Sequence, residues 1–519
     1  VIQVLTKAQI QQAEREADQA GHSYEQMMAF AGRSVASRAI ELVQGRAQPK
    51  FTILVGSGNN GGDGLVAGRV IAETIADAQV RFYLLTRRDD PNFEAIQALG
   101  LFIAYAEDDD GRVIRHMVAS ADLVIDALYG IGVRLPISGD AQKILRQTRQ
   151  ALNENLKLQR DRVLIDPLLP HQVERPPKQY VLAVDCPSGL DCDTGEIDPN
   201  ALHADETITF IAAKPGLLTF PGAAAVGQLW VSKLQLPDDL PTLGQATPIL
   251  LDQDTARNLL PPRPVDGHKG TFGKLLIVAG SINYTGAVAL CARSAYRSGV
   301  GVVSVGAPSS VITALATGLI EATWIPLPDD HGVIAENATQ MIQTHVITSE
   351  ALLIGPGLGR EQTTRAMLKA LLTTAHDTAW VIDADGLNLL SEIPDWWTLL
   401  PSDAILTPHP GEMARLCGLT IAEVQANRIG LAVEKARAWG AVIVLKGAHT
   451  VIVTPSGEIA YGPFKTDALA TAGTGDILAG LIAGFRTQGV SAFAAAQLGV
   501  YLQGYAGLIT AGQFGTGRA

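Results

Sequence analysis

The residues that could do chemistry in this 519-residue chain gather where short apolar runs end in glycine. Thr471-Ala472-Gly473-Thr474-Gly475-Asp476 runs straight into Ile477-Leu478-Ala479-Gly480-Leu481-Ile482. So little side chain lets backbone N–H groups converge at a helix N-terminus, where free donors and the helix dipole hold an anion. Asp476 has the wrong charge for gripping phosphate. It suits a base that takes a proton from a hydroxyl while the Gly473–Gly475 amides steady a phosphoryl group in transfer. A helix cap or tight turn accounts for the same glycines without chemistry, so the rest of the chain has to decide.

A second concentration follows the apolar run Phe51–Val55: Gly56-Ser57-Gly58-Asn59-Asn60-Gly61-Gly62-Asp63-Gly64, then helical spacing at Val66, Val70, Ile71 and Ile75. Strand, glycine loop and helix make a phosphate cradle, although the spacing is neither the dinucleotide fingerprint nor the P-loop. Two further apolar runs end in aspartate, as Asp126-Ala127-Leu128-Tyr129-Gly130-Ile131-Gly132 and as Asp185-Cys186-Pro187-Ser188-Gly189-Leu190-Asp191. Asn and Asp oxygens with few formal charges suit a hard monovalent cation; helix-capping aspartates are the alternative. In the second half, similar strand ends carry Gly280–Ala287, Gly355–Gly359, Asp383–Asn388, Pro408–Glu412 and Lys446–Thr450. With the Asp476 loop that makes six, more simply explained by one shared site than by six unrelated turns.

The elements that must position these loops read as βαβ units with parallel sheets. Expected strands are Phe51–Val55, Val80–Leu85, Leu123–Asp126 and Val181–Asp185, then Leu275–Ala279, Gly301–Val305, Ala351–Ile354, Val381–Asp383, Ala404–Thr407 and Ala441–Leu445. Thr420 and Glu423 form a capping-box pattern ahead of an amphipathic stretch that Gly440 stops. The chain is too long for one ordinary core, so two domains are expected, with a boundary in the proline-rich region near 237–250. The segment Arg146 to Lys178, rich in Gln, Arg and Pro, reads as an irregular surface insertion.

Composition narrows the class. With 47% hydrophobic and 18% charged residues the chain is enzyme-like, and its net charge of −12 argues against a nucleic-acid partner. Cys186, Cys192, Cys291 and Cys417 show no metal spacing and read as buried or neutral thiols of a cytoplasmic protein. Residues 1–20 are polar and amphipathic, unlike a signal peptide. The uncharged stretch Gln488 to Gly517 fits two buried helices better than a membrane span.

Taken together, the motifs Gly58–Gly64, Asp126–Gly130, Val184–Leu190 and Phe210–Gly216 resemble the NAD(P)H-hydrate epimerases, the N-terminal half of the YjeF-type repair proteins. The resemblance implies a Rossmann-like three-layer sandwich over residues 1–240. It implies potassium at Asn60, Asp126 and Ser188. It places hydrated nucleotide on Asn59, Asn60, Gly61, Gly62, Asp63 and Gly64 and on Gly130, Ile131, Gly132, Val133, Arg134, Leu135 and Pro136, with Asp185 handling the proton beside Lys214. Residues 246–519, through Thr407–Glu412, Lys446–Thr450 and Ala472–Asp476, resemble the ADP- or ATP-dependent NAD(P)H-hydrate dehydratases of ribokinase-like fold.

That second resemblance implies adenine nucleotide at Lys446, Gly447, Ala448, His449, Thr450, Thr474 and Gly475. Hydrated nicotinamide would meet Ala287, Gly357, His409 and the base Asp476, and magnesium would be organised by Glu412. Thr466-Asp467 departs from the family's usual Asn-Pro. The expected activity is repair of hydrated NADH or NADPH by epimerisation and nucleotide-driven dehydration, in a homo-oligomer without nucleic-acid or membrane partners. A ribokinase-fold small-molecule kinase and a non-catalytic nucleotide-binding scaffold are the rival readings.

Overall fold

Phe51, Ile53 and Val55 pack into one core with Ile10, Met27 and Val35, while Leu54, on the same strand, joins Tyr83, Val124, Ile114 and Met117 on the other side. Successive side chains of a strand point to opposite faces, so a strand covered on both faces must be apolar nearly throughout. This is why such runs were conspicuous in the sequence. The computed structural model describes residues 1–160, 179–237, 239–245, 248–374 and 378–515. Its chain separates into two compact units, Ile2–Ala246 and Thr247–Ala519 with Val1.

The N-terminal unit is a Rossmann-like sandwich around seven parallel strands. Their order is Phe102–Tyr105, Gln79–Leu84, Lys50–Val55, Leu123–Ala127, Tyr180–Val184, Glu206–Phe210 and Gln228–Ser232. The order reverses between Lys50–Val55 and Leu123–Ala127, and the loops leaving those two strands diverge to open a crevice. Phe102–Tyr105 and the last two strands escaped the sequence reading. Glu-Thr-Ile-Thr-Phe looks polar, yet the Glu206 carboxylate is buried against Arg38, 2.7 Å away, and accepts from the Trp230 indole at 2.8 Å.

In the C-terminal unit the sheet runs Ile249–Leu250, Ile459–Tyr461, Val451–Val453, Val442–Leu445, Ile405–Leu406, Ala379–Ile382, Ala351–Ile354, Lys274–Val278, Val302–Pro308 and Thr323–Leu327. Only the pairings made by Val451–Val453 with its two neighbours are antiparallel among these. Leu275 and Ile277 pack with Leu478 and Ile482 of the helix Thr474–Thr487, and the alternate residues Leu276 and Val278 are equally buried. Both faces are therefore covered, as in a ribokinase-like domain.

Four sequence readings need correction. The supposed insertion begins inside a helix, Gly139–Arg160, whose buried Ile144, Leu145 and Ala151 supply helical anchoring that its Gln and Arg content obscured; its remainder to Lys178 lies outside the described residues. Cys186 and Cys192 are not separate thiols but a disulfide, because the turn from Cys186 through Gly189 folds the chain back on itself. The stretch after Thr420 is two helices, Ile421–Ala426 and Arg428–Trp439, interrupted at Asn427. The uncharged C-terminal stretch forms one helix, Ala492–Phe514, with alanine and glycine rather than a break letting it lie against the core. No helix among the described residues is long and apolar enough to cross a membrane.

Candidate active sites

In the N-terminal unit the expected glycine loop is shorter than its glycines suggested, because the helix Asn59–Thr74 starts at Asn59, capped by Gly58. Gly61 to Gly64 are thus the first turns of a helix pressed onto the sheet. A Cβ on Gly61 would lie 2.1 Å from the Gly56 carbonyl oxygen, and one on Gly64 2.6 Å from Ala127. Arg88 closes the loop from outside, donating to the carbonyls of Gly56 and Gly58 at 2.8 and 3.1 Å. Nothing local in the sequence marks this arginine, which acts across about thirty residues.

Three strand ends meet at Gly130. A Cβ there would sit 3.0 Å from both Asn60 Oδ1 and Asp185 Oδ2, so the missing side chain leaves room in front of two polar groups. The side-chain amide of half-buried Asn60 is shielded from solvent, with neither of its atoms hydrogen-bonded. Asp185 sits at φ +66°, a left-handed conformation uncommon for aspartate and one often stored at functional sites. Its Oδ1 accepts from Lys214 Nζ at 2.5 Å, and Lys214, fully buried, also donates to Thr209 Oγ1 at 2.6 Å and the Phe210 carbonyl at 3.0 Å. Behind them, Asp126 accepts from the Ser188 hydroxyl at 2.6 Å and amide at 2.8 Å; burial, partly offset by those bonds, pushes its pKa up to about 6. Of the expected substrate loop, Gly132, Arg134 and Pro136 are exposed, Ile131 and Leu135 half-buried and Val133 buried.

In the C-terminal unit Gly473, at φ +92°, caps the helix Thr474–Thr487, so Thr474, Gly475 and Asp476 form its first turn. A Cβ on Gly475 would lie 3.4 Å from Lys446 Nζ and 3.8 Å from Asp383 Oδ2, which places both groups at the anion-holding end of the helix. Burial, with Asp383 adding to it and Lys446 opposing, raises the Asp476 pKa to about 6. Lys446 Nζ is 2.7 Å from Asp383 Oδ1 and 3.6 Å from Glu412 Oε2. Burial works against its charge, but Asp383 and Glu412 hold its pKa above the usual lysine value. Asp383 also accepts from Thr407 at 2.7 Å, while its Oδ2 is buried without a partner.

His409 caps the helix Pro410–Cys417: Nδ1 accepts from the amides of Gly411 and Glu412 at 2.9 and 3.3 Å, and Glu412 Oε2 accepts from the His409 amide at 2.7 Å. With Nδ1 accepting, a neutral ring carries its proton on Nε2, 3.4 Å from Glu412 Oε1; burial first, then Lys446 and Arg415, lowers its pKa. Burial raises Glu412 to about 7. Gly357 meets Ala287, since a Cβ on it would come within 3.0 Å of the alanine Cβ. In the Lys446–Thr450 loop, Arg428 donates to the Leu445 and Lys446 carbonyls, and Gly447 and Ala448 are exposed. The His449 ring turns inward to the Gly462 carbonyl at 3.1 Å.

Comparison with known proteins now bears on both sites. A family model described as YjeF-related protein N-terminus matches residues 24–216, and one described as NAD(P)H-hydrate dehydratase matches residues 275–519. The bifunctional NAD(P)H-hydrate repair enzyme Nnr of Moorella thermoacetica is 36% identical over 491 residues, 93% of this chain and 87% of that one. The chain belongs to the bifunctional NAD(P)H-hydrate repair enzymes. The Escherichia coli member is 32% identical, covering 90% of this chain and 82% of its own. Among solved structures, an ADP/ATP-dependent NAD(P)H-hydrate dehydratase from Bacillus subtilis, co-crystallized with ATP/Mg2+, is 32% identical with a TM-score of 0.46, over 52% of this chain and 92% of that one.

The repair enzyme therefore combines epimerase and dehydratase activities on hydrated NAD(P)H, and the kinase and scaffold readings lose their support. Asp383, Arg88 and Arg428 are among the residues at its two sites to which the sequence reading assigned no role. Asp383 stood in a quoted motif but had no partner until Lys446, 63 positions away, was placed beside it.

Proposed function

We propose that Asp476 is the base of the dehydratase and Asp185, paired with Lys214, the proton-handling group of the epimerase. The observation that carries the first assignment is the position of Asp476: the first helical turn, beside Gly475, with Lys446 and Asp383 against the same turn. A carboxylate with a pKa near 6 is ionised at neutral pH and still basic enough to accept a hydroxyl proton. In this reading Asp476 takes the proton of the C6 hydroxyl, whose oxygen attacks the terminal phosphorus of ADP or ATP. The Gly473–Gly475 amides and Lys446 meet the charge on the transferring group. That attack displaces AMP or ADP and leaves the C6 oxygen phosphorylated; loss of a C5 proton to water and departure of inorganic phosphate then restore the ring double bond. Ala287, Gly357 and the Nε2–H of His409 orient the hydrated ring, and the Lys446–Thr450 loop holds the nucleotide.

The residues present fit the two cations of the expectation. Asn60, its amide shielded and unpartnered, with Asp126 and Ser188 offers neutral and singly charged oxygens suited to potassium, which would neutralise phosphate charge at the cradle. Magnesium, arriving with nucleotide, was expected at Glu412; we reassign it to the free Asp383 Oδ2, because Glu412 Oε2 is engaged by the His409 amide and lies beside Lys446. Epimerisation at Asp185 keeps both C6 epimers within reach of dehydration, and we place this work in the cytoplasm with the reduced cofactors it repairs.

The test mixes the full chain with both NADH-hydrate epimers, potassium, magnesium and either ADP or ATP, and follows reduced-nicotinamide absorbance. Full recovery dependent on one nucleotide is expected. Full recovery by an Asp476→Asn protein would overturn the assignment of the base.

A further inference from the structure

Glu14 lies on the helix Lys7–Gln19, ahead of the residues matched by the N-terminal family model, and nothing in the motifs gives it a role. The fold nevertheless ties that helix to the epimerase site. Val4 bridges Ala213, and the Leu5 amide donates to the Ala213 carbonyl at 2.9 Å, immediately before Lys214. The Lys7 amide bonds Asp193 at 2.7 Å, and Glu16 accepts from the Thr242 amide and hydroxyl at 2.8 and 2.9 Å. Ile10, Ala13 and Ala17 are buried in the core. Held along its length, the helix has one way to present Glu14.

Glu14 lines a cavity of about 570 Å³ together with Met28, Asn59, Asp63, Val66 and Phe210. Asn59 and Asp63 belong to the expected substrate cradle, and Phe210 supplies the carbonyl that holds Lys214. Asp63 is only 8% exposed, and no hydrogen bond to its carboxyl is found among the described residues. Glu14 likewise has none. Lys214 is already bonded to Asp185, Thr209 and Phe210. Arg69 and Arg88 line the same cavity, as do Glu25 and Asp90, and Arg88 is committed to Asp90 and to the Gly56 and Gly58 carbonyls. Burial raises Glu14 first, then the charge of Asp185; burial also holds Asp63 well above its ordinary range, with Asp185 and Glu14 adding to it.

We propose that Glu14 is the general acid of the epimerase site, protonating the C6 hydroxyl while Asp185 serves as the base. The inference rests on the Asp185 reading above. The hydrated ring is a carbinolamine at C6: the Glu14 carboxyl gives its proton to the hydroxyl, the C6–O bond breaks, and the N1 electron pair forms an N1=C6 iminium as water leaves. A second water adds to the opposite face of C6, giving its proton to Asp185. Proton return from Asp185 to Glu14 completes the cycle. One water is released and one consumed.

The experiment uses the full chain without ADP or ATP, follows interconversion of the separated NADH-hydrate epimers by chromatography, and counts 18O taken from labelled water. Glu14→Gln should lower epimerisation kcat at least about 100-fold with KM within about twofold, and Glu14→Asp should recover part of the rate. Label should enter once per epimerisation, and dehydration of the S epimer with nucleotide should be unchanged in both variants. Full epimerisation by Glu14→Gln, epimerisation without label, or loss of dehydration together with a lower Tm would each overturn the proposal. Asp185→Ala separates the two readings: if it epimerises normally the base is misassigned, and if it is inactive while Glu14→Gln is normal only the acid is.

Discussion

Lys446 Nζ stands 2.7 Å from Asp383 Oδ1, and both side chains face Gly475 at the start of the helix that carries Asp476. Asp476, Lys446 and the helix end are thus arranged around one spot, where a hydroxyl and a terminal phosphate would meet in the function proposed above.

Replacing Asp476 by asparagine should lower dehydration at least about 100-fold while epimer exchange continues at the wild-type rate. In the wild type, a base with a pKa near 6 is lost as pH falls, so the dehydration rate should drop below about pH 6 and be flat above it. The measured midpoint belongs to the cluster, because Glu412 titrates near 7 beside the same lysine. A pH profile of single-turnover dehydration reads it directly.

Lys446→Met should act on folding as well as on rate. Asp383 is 1% exposed and Glu412 5%, and both would lose their cation. Stranding buried carboxylates in this way costs about 3–5 kcal/mol. Urea unfolding at neutral pH should show a loss of that order, with dehydration reduced by about 100-fold. An unchanged urea midpoint would contradict the burial argument.

Gly130→Ala tests the crevice of the N-terminal unit. The added methyl would lie 3.0 Å from Asn60 Oδ1 and Asp185 Oδ2, in the space a substrate needs. Epimerisation should fall at least about tenfold through a higher KM, with dehydration of the S epimer intact. Chromatographic separation of the two epimers gives both numbers from one reaction.

Exchanging potassium for a bulky organic cation should weaken the epimerase alone. Asn60 and Asp126 would then lack the ion their oxygens suit, and epimerisation KM should rise several-fold, recovering on titration with potassium chloride at constant ionic strength. Asp126→Asn should blunt that titration.

Much of this architecture was legible because strands covered on both faces need continuous apolar runs, and because close approach at strand ends needs glycine. Gly64 against Ala127 and Gly357 against Ala287 are such approaches. Less visible were the residues that act over distance. Arg88 and Arg428 look like ordinary surface charges until the carbonyls they hold are in view. Glu206–Phe210 hid as a strand because its buried charge is neutralised by Arg38, 168 positions earlier. The disulfide hid for another reason: a six-residue spacing between Cys186 and Cys192 fits no metal or redox pattern, and only the turn between them brings the sulfurs together.

Lys214, enclosed on every side with all three ammonium hydrogens engaged, also has a consequence for reagent chemistry. Amine-acylating labels should modify the exposed Lys143 and skip this lysine in the native protein. Its first appearance as a labelled peptide, as denaturant is raised, would report the opening of the epimerase interior at single-residue resolution in a mass spectrum, with no substrate present.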